Sequence, residues 1–254
     1  MFSVAYLQDL GSGRLGIEEQ LLKQAFEQWQ VPVELYTIKR IHKRSLPLTL
    51  NSFIAGDLDA MHGAMRQLGI EAPTPDDYPE CLSPFLQRRV WRATLGTAEY
   101  QILQESGQPL FIKPAERRKS FVGAVFSHPS DIAQFGTVSR RQEVWCSEVV
   151  NWISEYRVYV IGTETVAIGH YSGDPLVHVD LSVVRAAVET YFRSGRAPCA
   201  YAIDFGVLST GQTALVESND GFSVGAYHIG AIEYASMVTA RWRELVESSK
   251  SGPS

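Results

Sequence analysis

Two carboxylates and an amide cluster late in the sequence: Asp204, Glu217 and Asn219. Asp204 lies in the apolar run AYAIDFGVL (200–208), and Glu217 and Asn219 lie in TALVESN (213–219). Both runs read as strands, and the short polar stretch between them reads as a hairpin turn. A turn centred on Thr210-Gly211 puts Asp204 opposite Glu217. Asn219, two residues further on, then shares their face. Directly opposed side chains have Cβ atoms about 5 Å apart, so two ionised carboxylates there repel each other. A hard divalent cation with oxygen ligands, of the kind shared with nucleotide phosphates, would neutralise them. The other solution is that one carboxylate faces solvent or pairs with an arginine.

A metal–nucleotide site also needs cations for phosphates. Lys113 closes the apolar strand LFIKP (110–114), where an ammonium is costly unless it reaches a partner. The turn that follows carries Arg117, Arg118 and Lys119; a solvated charged turn is the plain reading of these three. Arg157 sits inside the run EYRVYVIG (155–162). Period-two alternation gives Glu155, Arg157 and Tyr159 one face of that strand, which implies a polar cleft or a Glu–Arg structural pair. Two other motifs carry less. Asp204-Phe205-Gly206 matches the magnesium triplet of protein kinases, but no HRD loop precedes it. Gly11-x-Gly13-x-x-Gly16 follows a strand and opens a helix, as a dinucleotide fingerprint does. The acid expected at the end of the next strand is missing, so a simple turn before a free helix N-terminus competes with a substrate-facing loop.

These residues need elements to hold them. Residues 2–7 read as a strand, 17–29 as an amphipathic helix and 33–38 as a second strand, a β-α-β opening. The basic stretch KRIHKR (39–44) reads as a solvated loop and 57–68 as a helix, with no third β-α repeat. APTPDDYP (72–79) reads as a linker. Beyond it come a helix over 87–104, the strand pair 110–114 and 121–126, a strand near 144–150, and strands at 155–162 and 165–171. A helix over 181–193, the acid hairpin and a last helix over 226–246 complete the chain. Hairpins separated by helices after a small α/β unit give an α+β fold class.

The 254 residues are 45% hydrophobic and 20% charged, which fits a globular chain with a sizeable core and excludes disorder or a coiled coil as the main organisation. A formal net charge of −5 argues against non-specific nucleic-acid binding. Cys81, Cys146 and Cys199 are widely spaced, an odd count with no metal-ligand spacing. The N-terminus lacks a basic leader before an apolar run. The longest uncharged run is about a dozen residues, short of the ~20 a membrane span needs. A cytoplasmic protein without membrane partners is the expectation.

Taken in order, FIKP with KSFVGAVF, WCSEVV, EYRVYVIG, and IDFGVL followed by LVESNDG resemble the ATP-grasp superfamily over residues ~85–230. The acid-x-Arg strand is similar to that of ligases of the ribosomal-protein glutamylation type. The resemblance implies an ATP-grasp fold of two α+β subdomains gripping a nucleotide. The lysine-bearing one would occupy about 85–150 and the metal-binding one about 151–247. A small N-terminal α/β domain (1–75) would precede this 76–247 unit, and 248–254 would be a disordered tail. It implies ATP and Mg2+ as cofactors. Lys113 would contact the α-phosphate and adenine side, and Lys119 the outer phosphates. Glu148 and Val150 would bind adenine, and Glu155 the ribose. Arg157 would stabilise the transferring phosphoryl group, and Asp204, Glu217 and Asn219 would hold magnesium. The implied reaction activates a carboxylate as an acyl phosphate and joins it to an amine or other nucleophile, releasing ADP and phosphate. The partners would be small-molecule or peptide carboxylates and amines. A phosphotransferase, or a nucleotide-binding module without turnover, are the alternatives.

Overall fold

The computed structural model describes residues 2–104, 108–115, 121–128, 130, 131 and 138–250. The chain opens with β1 (Val4–Gln8), α1 (Ile17–Gln28), β2 (Val33–Tyr36), a short α2 (Ile38–His42), β3 (Ser52–Ala55) and α3 (Leu58–Leu68). The three strands pair in parallel in the order β2-β1-β3. A third β-α repeat therefore exists, against the sequence expectation. β3 is only four residues long and buried at every position, so it lacks the alternation that marks a half-buried strand. α3 starts where expected because the Asp57 carboxylate accepts the Ala60 N–H at 2.9 Å. Part of the basic stretch forms α2 instead of a loop, and Ile41 anchors it in the core.

After the linker and a 3-10 turn at Glu80–Phe85 come β4 (Val90–Thr94) and α4 (Leu95–Gln104). The helix expected over 87–104 is thus a strand and then a helix. Trp91 and Thr94 suit a strand, and β4 pairs antiparallel with β7 (Glu143–Glu148). With β5 (Leu110–Pro114) and β6 (Ala124–Phe126) they make a sheet of order β4-β7-β5-β6. Its inner face packs Ile112, Phe126, Val144 and Cys146 against Leu95, Ala98 and Ile102 of α4.

The remaining sheet has the order β11-β10-β8-β9, all antiparallel, from β8 (Trp152–Ile161), β9 (Glu164–Gly173), β10 (Ala200–Leu208) and β11 (Thr213–Asp220). β10 is buried along its whole length. Its residues Tyr201, Ile203, Phe205 and Val207 pack with Val158 and Val160 under α5 (Leu181–Arg193). Ala200 and Ala202, on the other face, join Tyr159 in a core shared with the first three strands and with α6 (Ala231–Lys250). The Trp242 indole of α6 donates to the Ser52 carbonyl at 2.9 Å, tying the last helix to β3. α6 runs further than expected, so Ser248–Lys250 are helical; 251–254 lie outside the described residues. No helix among the described residues is long and apolar enough to cross a membrane.

Candidate active site

Alternation puts Asp204 on the same face of β10 as Ala202 and Gly206. The ladder brings three elements to it in one line. Arg157 of β8 is its register partner on one side and Glu217 of β11 on the other. The turn alone would not give this pairing. Leu208 and Gln212 close a three-residue loop in which Gly211 takes a φ of 83°, a left-handed conformation that favours glycine. From that loop Val207 pairs with Thr213 and Phe205 with Leu215. Unbroken, the ladder would set Val216 opposite Asp204 and turn Glu217 to the apolar face. Instead the register shifts by one residue between Asp204 and Phe205. This β-bulge leaves Val216 extra and returns Glu217 and Asn219 to the face of Asp204.

The repulsion between the acids is met by cations. Arg157 grips Asp204 with two parallel bonds, Nε to Oδ1 at 2.8 Å and Nη2 to Oδ2 at 2.7 Å. Lys113 Nζ reaches across from β5 to Glu217 Oε2 at 2.5 Å and to Asp77 at 2.8 Å, above the Tyr78 ring. Asn219 Nδ2 lies between the acids, 3.4 Å from Asp204 Oδ2 and 3.3 Å from Glu217 Oε1. Asp204 is only 2% exposed. Burial outweighs Arg157 and pushes its carboxyl up to about 6. Burial also works against ionised Glu217, but Lys113, Asn219 and Arg157 prevail and hold it below its ordinary value. Asp77 is raised, because burial exceeds the pull of Lys113. Lys113 is raised despite burial, since Glu217, Tyr78 and Asp77 all favour its charge.

A glycine-rich loop caps this line. Gly225 O accepts from Arg157 Nη1 at 3.3 Å and from the Tyr159 hydroxyl at 3.0 Å. The Tyr227 N–H donates to the Tyr159 oxygen at 2.6 Å. Gly169 of β9, beside Arg157, permits the approach: a Cβ there would collide with the Tyr227 carbonyl oxygen. The Arg157 guanidinium lies 5.0 Å from the Tyr227 ring centre and 5.9 Å from that of Tyr171. The Tyr171 hydroxyl donates to Glu155 Oε2 at 3.0 Å.

The fold therefore gathers Lys113, Glu155, Arg157, Asp204, Glu217 and Asn219. Glu148 and Val150 lie instead where β7 gives way to β8. The Glu148 N–H donates to the Arg89 carbonyl at 3.1 Å, and its carboxylate accepts the Arg89 N–H at 2.9 Å. Lys119, with Arg117 and Arg118, lies outside the described residues. Sequence reasoning missed Asp77 and Tyr78, which it assigned to the linker. The main chain of that linker accepts the Ser218 N–H at Asp77 O, 2.8 Å, so it lies along β11. It also missed Arg88, whose guanidinium meets the bulge. Burying an arginine at a helix-like start gave no signal distinct from a surface charge.

The profile of one domain family, described as an ATP-grasp domain and numbered family 2 of its clade, matches residues 85–237. No curated protein sequence matches the chain. Among solved structures, D-alanine–D-alanine ligase from Bacillus anthracis is similar with a TM-score of 0.58 at 13% identity, over 98% of this chain and 99% of that one. N5-carboxyaminoimidazole synthase from Aspergillus clavatus, in complex with ADP and 5-aminoimidazole ribonucleotide, is similar with a TM-score of 0.59 at 12% identity. That match covers 95% of this chain and 77% of the other. A RimK domain protein ATP-grasp from Sphaerobacter thermophilus gives a TM-score of 0.51 at 16% identity, over 96% and 98%. At such identities these likenesses speak for the fold.

Proposed function

The chain belongs to the ATP-grasp family, and on that premise we propose that it is an ATP-dependent ligase. It would activate a carboxylate as an acyl phosphate and join it to an amine or another nucleophile. The observation that carries this reading is the line Arg157–Asp204–Glu217 with Lys113 laid across it from the other sheet. The names of two of the structural neighbours, a ligase and a synthase, agree with it.

Asp204, Glu217 and Asn219 offer hard oxygen donors on one face, a set that suits magnesium once the Asn219 amide presents its oxygen. Bound there with ATP, magnesium would supply charge neutralisation at the phosphates. Lys113 then has a choice of partners. Its ammonium, held by Glu217 and Asp77, can turn to a phosphate oxygen and release Glu217 for the cation. Arg157 has five N–H groups. Two go to Asp204 and one to Gly225, which leaves two for the transferring phosphoryl group. Asp204 fixes the plane of that guanidinium, so its free edge is aimed before substrate arrives. In the reaction a substrate carboxylate oxygen bonds to the γ-phosphorus as the bond to the bridging oxygen breaks and ADP leaves. An amine then attacks the acyl carbon, loses a proton to solvent, and expels phosphate. Lys119 and Glu155 are assigned to the outer phosphates and the ribose. Glu148 and Val150 are assigned to adenine, with small-molecule or peptide acids and amines as substrates.

The test is ADP release against a panel of carboxylates and amines at saturating magnesium. ADP formation that requires both an acid and an amine supports the ligase. Formation with a single acceptor and a stable phosphorylated product makes it a phosphotransferase. Absence of magnesium-dependent stabilisation by ATP sinks both, since nucleotide at tenfold its Kd should add ~1.4 kcal/mol.

A further inference from the structure

We infer that Arg88 is a positioning residue for the metal-binding acids, acting through the bulge in β11. The inference rests on the magnesium–ATP reading above. In a regular strand successive carbonyls point to opposite edges. At Leu215 and Val216 they converge on one guanidinium: Arg88 Nη1 donates to Leu215 O at 2.6 Å and Nη2 to Val216 O at 3.0 Å. Nη1 also reaches Leu86 O at 3.1 Å, and the guanidinium lies 5.2 Å from the Trp152 ring centre. Val216 is the residue that the register shift leaves extra. In an unbroken ladder the Val216 carbonyl would face β10; with the shift it lies beside the Leu215 carbonyl on the outer edge of β11, where Arg88 meets both.

The consequence reaches the site in one step. The next residue is Glu217, and its place opposite Asp204 exists only because Val216 is bulged out. Arg88 holds both carbonyls of the bulge in a planar fork. It therefore sets the backbone rotation that aims Glu217, and two residues later Asn219, at Asp204. Burial works against the charge of Arg88 and lowers its pKa, although Tyr78, Glu217 and Glu155 favour that charge; the guanidinium stays in the protein with its donors on the carbonyls. A residue retained only to cover Trp152 would not need that fork.

The experiment is the magnesium dependence of ATP turnover in Arg88→Met and Arg88→Lys, with deuterium exchange over residues 213–220. Loss of an outer partner of metal ligands typically weakens the metal ~10–100-fold, so Arg88→Met is expected to raise half-saturating magnesium by at least about tenfold. Arg88→Lys, which reaches one carbonyl at a time, should fall between, and it carries the test if the Met protein does not fold. Exchange over 213–220 should quicken in both. Deleting Val216 removes the bulge yet leaves Glu217 opposite Asp204. In that background Arg88→Met should leave half-saturating magnesium unchanged. A lower maximal rate with unchanged magnesium half-saturation and unchanged exchange would overturn the inference. If the wild-type protein turns over no ATP at any magnesium concentration, the functional reading fails, and the exchange comparison alone decides for or against Arg88.

Discussion

The glycine-rich turn at 11–16 and the acid line at Asp204–Glu217 both have the residue types of a phosphate site, and they differ in what their donors already hold. In the turn, the Gly11 N–H donates to Asp9 Oδ1 at 2.7 Å and the Gly13 N–H to Asp9 Oδ2 at 3.0 Å. Glu18 and Glu19 occupy the first turn of α1, where a helix end favours negative charge. Glu18 also accepts the Ala226 N–H at 3.0 Å. The chain fills its own anion-binding positions there, so the dinucleotide reading loses its donors and the helix end is not free. In the acid line, Arg157 keeps two N–H groups beyond its bonds to Asp204 and Gly225. Lys113 can exchange a carboxylate for a phosphate. A spacing of glycines names a backbone shape; a site needs donors left over.

The largest effects should fall on one side of that contrast. Asp204→Asn and Glu217→Gln are each expected to lower turnover by ~10²–10³-fold or more, the scale of losing an electrostatic group in phosphoryl transfer. Asp9→Asn should leave turnover unchanged. Steady-state kinetics on the three proteins would break the contrast if Asp9→Asn were as damaging as Asp204→Asn.

Asp204 also gives the contrast a pH signature. Burial raises its carboxyl from an ordinary 3.8 to about 6. Between those values the folded state holds the proton more tightly than the unfolded one. The stability it contributes is therefore full below the ordinary value and lost as pH rises through about 6. By linkage the change is about 3 kcal/mol. Asp204→Asn does not titrate, so the unfolding free energy of the variant relative to wild type should rise by about that amount between pH 4 and 7. Urea unfolding of the metal-free proteins at stepped pH reads this effect, and a constant difference between them would exclude it.

The acid hairpin was legible in part. The alternation of AYAIDFGVL gave the strand, and a turn assumed at Thr210-Gly211 gave the pairing of Asp204 with Glu217. The pairing is correct through two offsets of one residue. The loop is centred on Thr210 alone, and the bulge at Val216 restores what that displaces. A bulge held by an arginine more than a hundred positions away leaves no local trace. β3 was invisible because four buried residues have no period. Asp77 was hidden for a third reason: prolines and aspartates announce a linker, and no sequence rule says that a linker lies against a site. The polar types of the site could be read locally, whereas the groups that aim them come from elsewhere in the chain.

Asp77 offers a finer test, because it puts a carboxylate where the proposed function would have the second region admit phosphate. Its 2.8 Å bond to Lys113 keeps the ammonium in the cleft, and its charge also opposes an incoming triphosphate. Asp77→Asn keeps the main-chain bond from Ser218 and removes that charge. A charge a few ångströms away at an intermediate effective dielectric is worth ~1 kcal/mol after screening, so KM for ATP should fall about fivefold. The maximal rate should hold. A rise in KM would mean that Asp77 serves to hold Lys113 for the phosphate more than to repel the nucleotide.

The smallest effect expected is the most direct test of why the glycine turn is silent. Asp9→Ala removes the acceptor of the Gly11 and Gly13 N–H groups. The turn is exposed, so water can replace the carboxylate and the stability cost should be only ~1 kcal/mol, read as a modest drop in Tm. The freed N–H groups then face solvent in the concave arrangement that binds anions. Weak phosphate binding should appear in the variant, seen as chemical-shift changes confined to residues 9–16 and lost at high salt, while turnover is unaffected. Phosphate binding at those residues in the wild-type protein would show that Asp9 does not compete for the turn, and the two regions would then differ by less than their hydrogen bonds indicate.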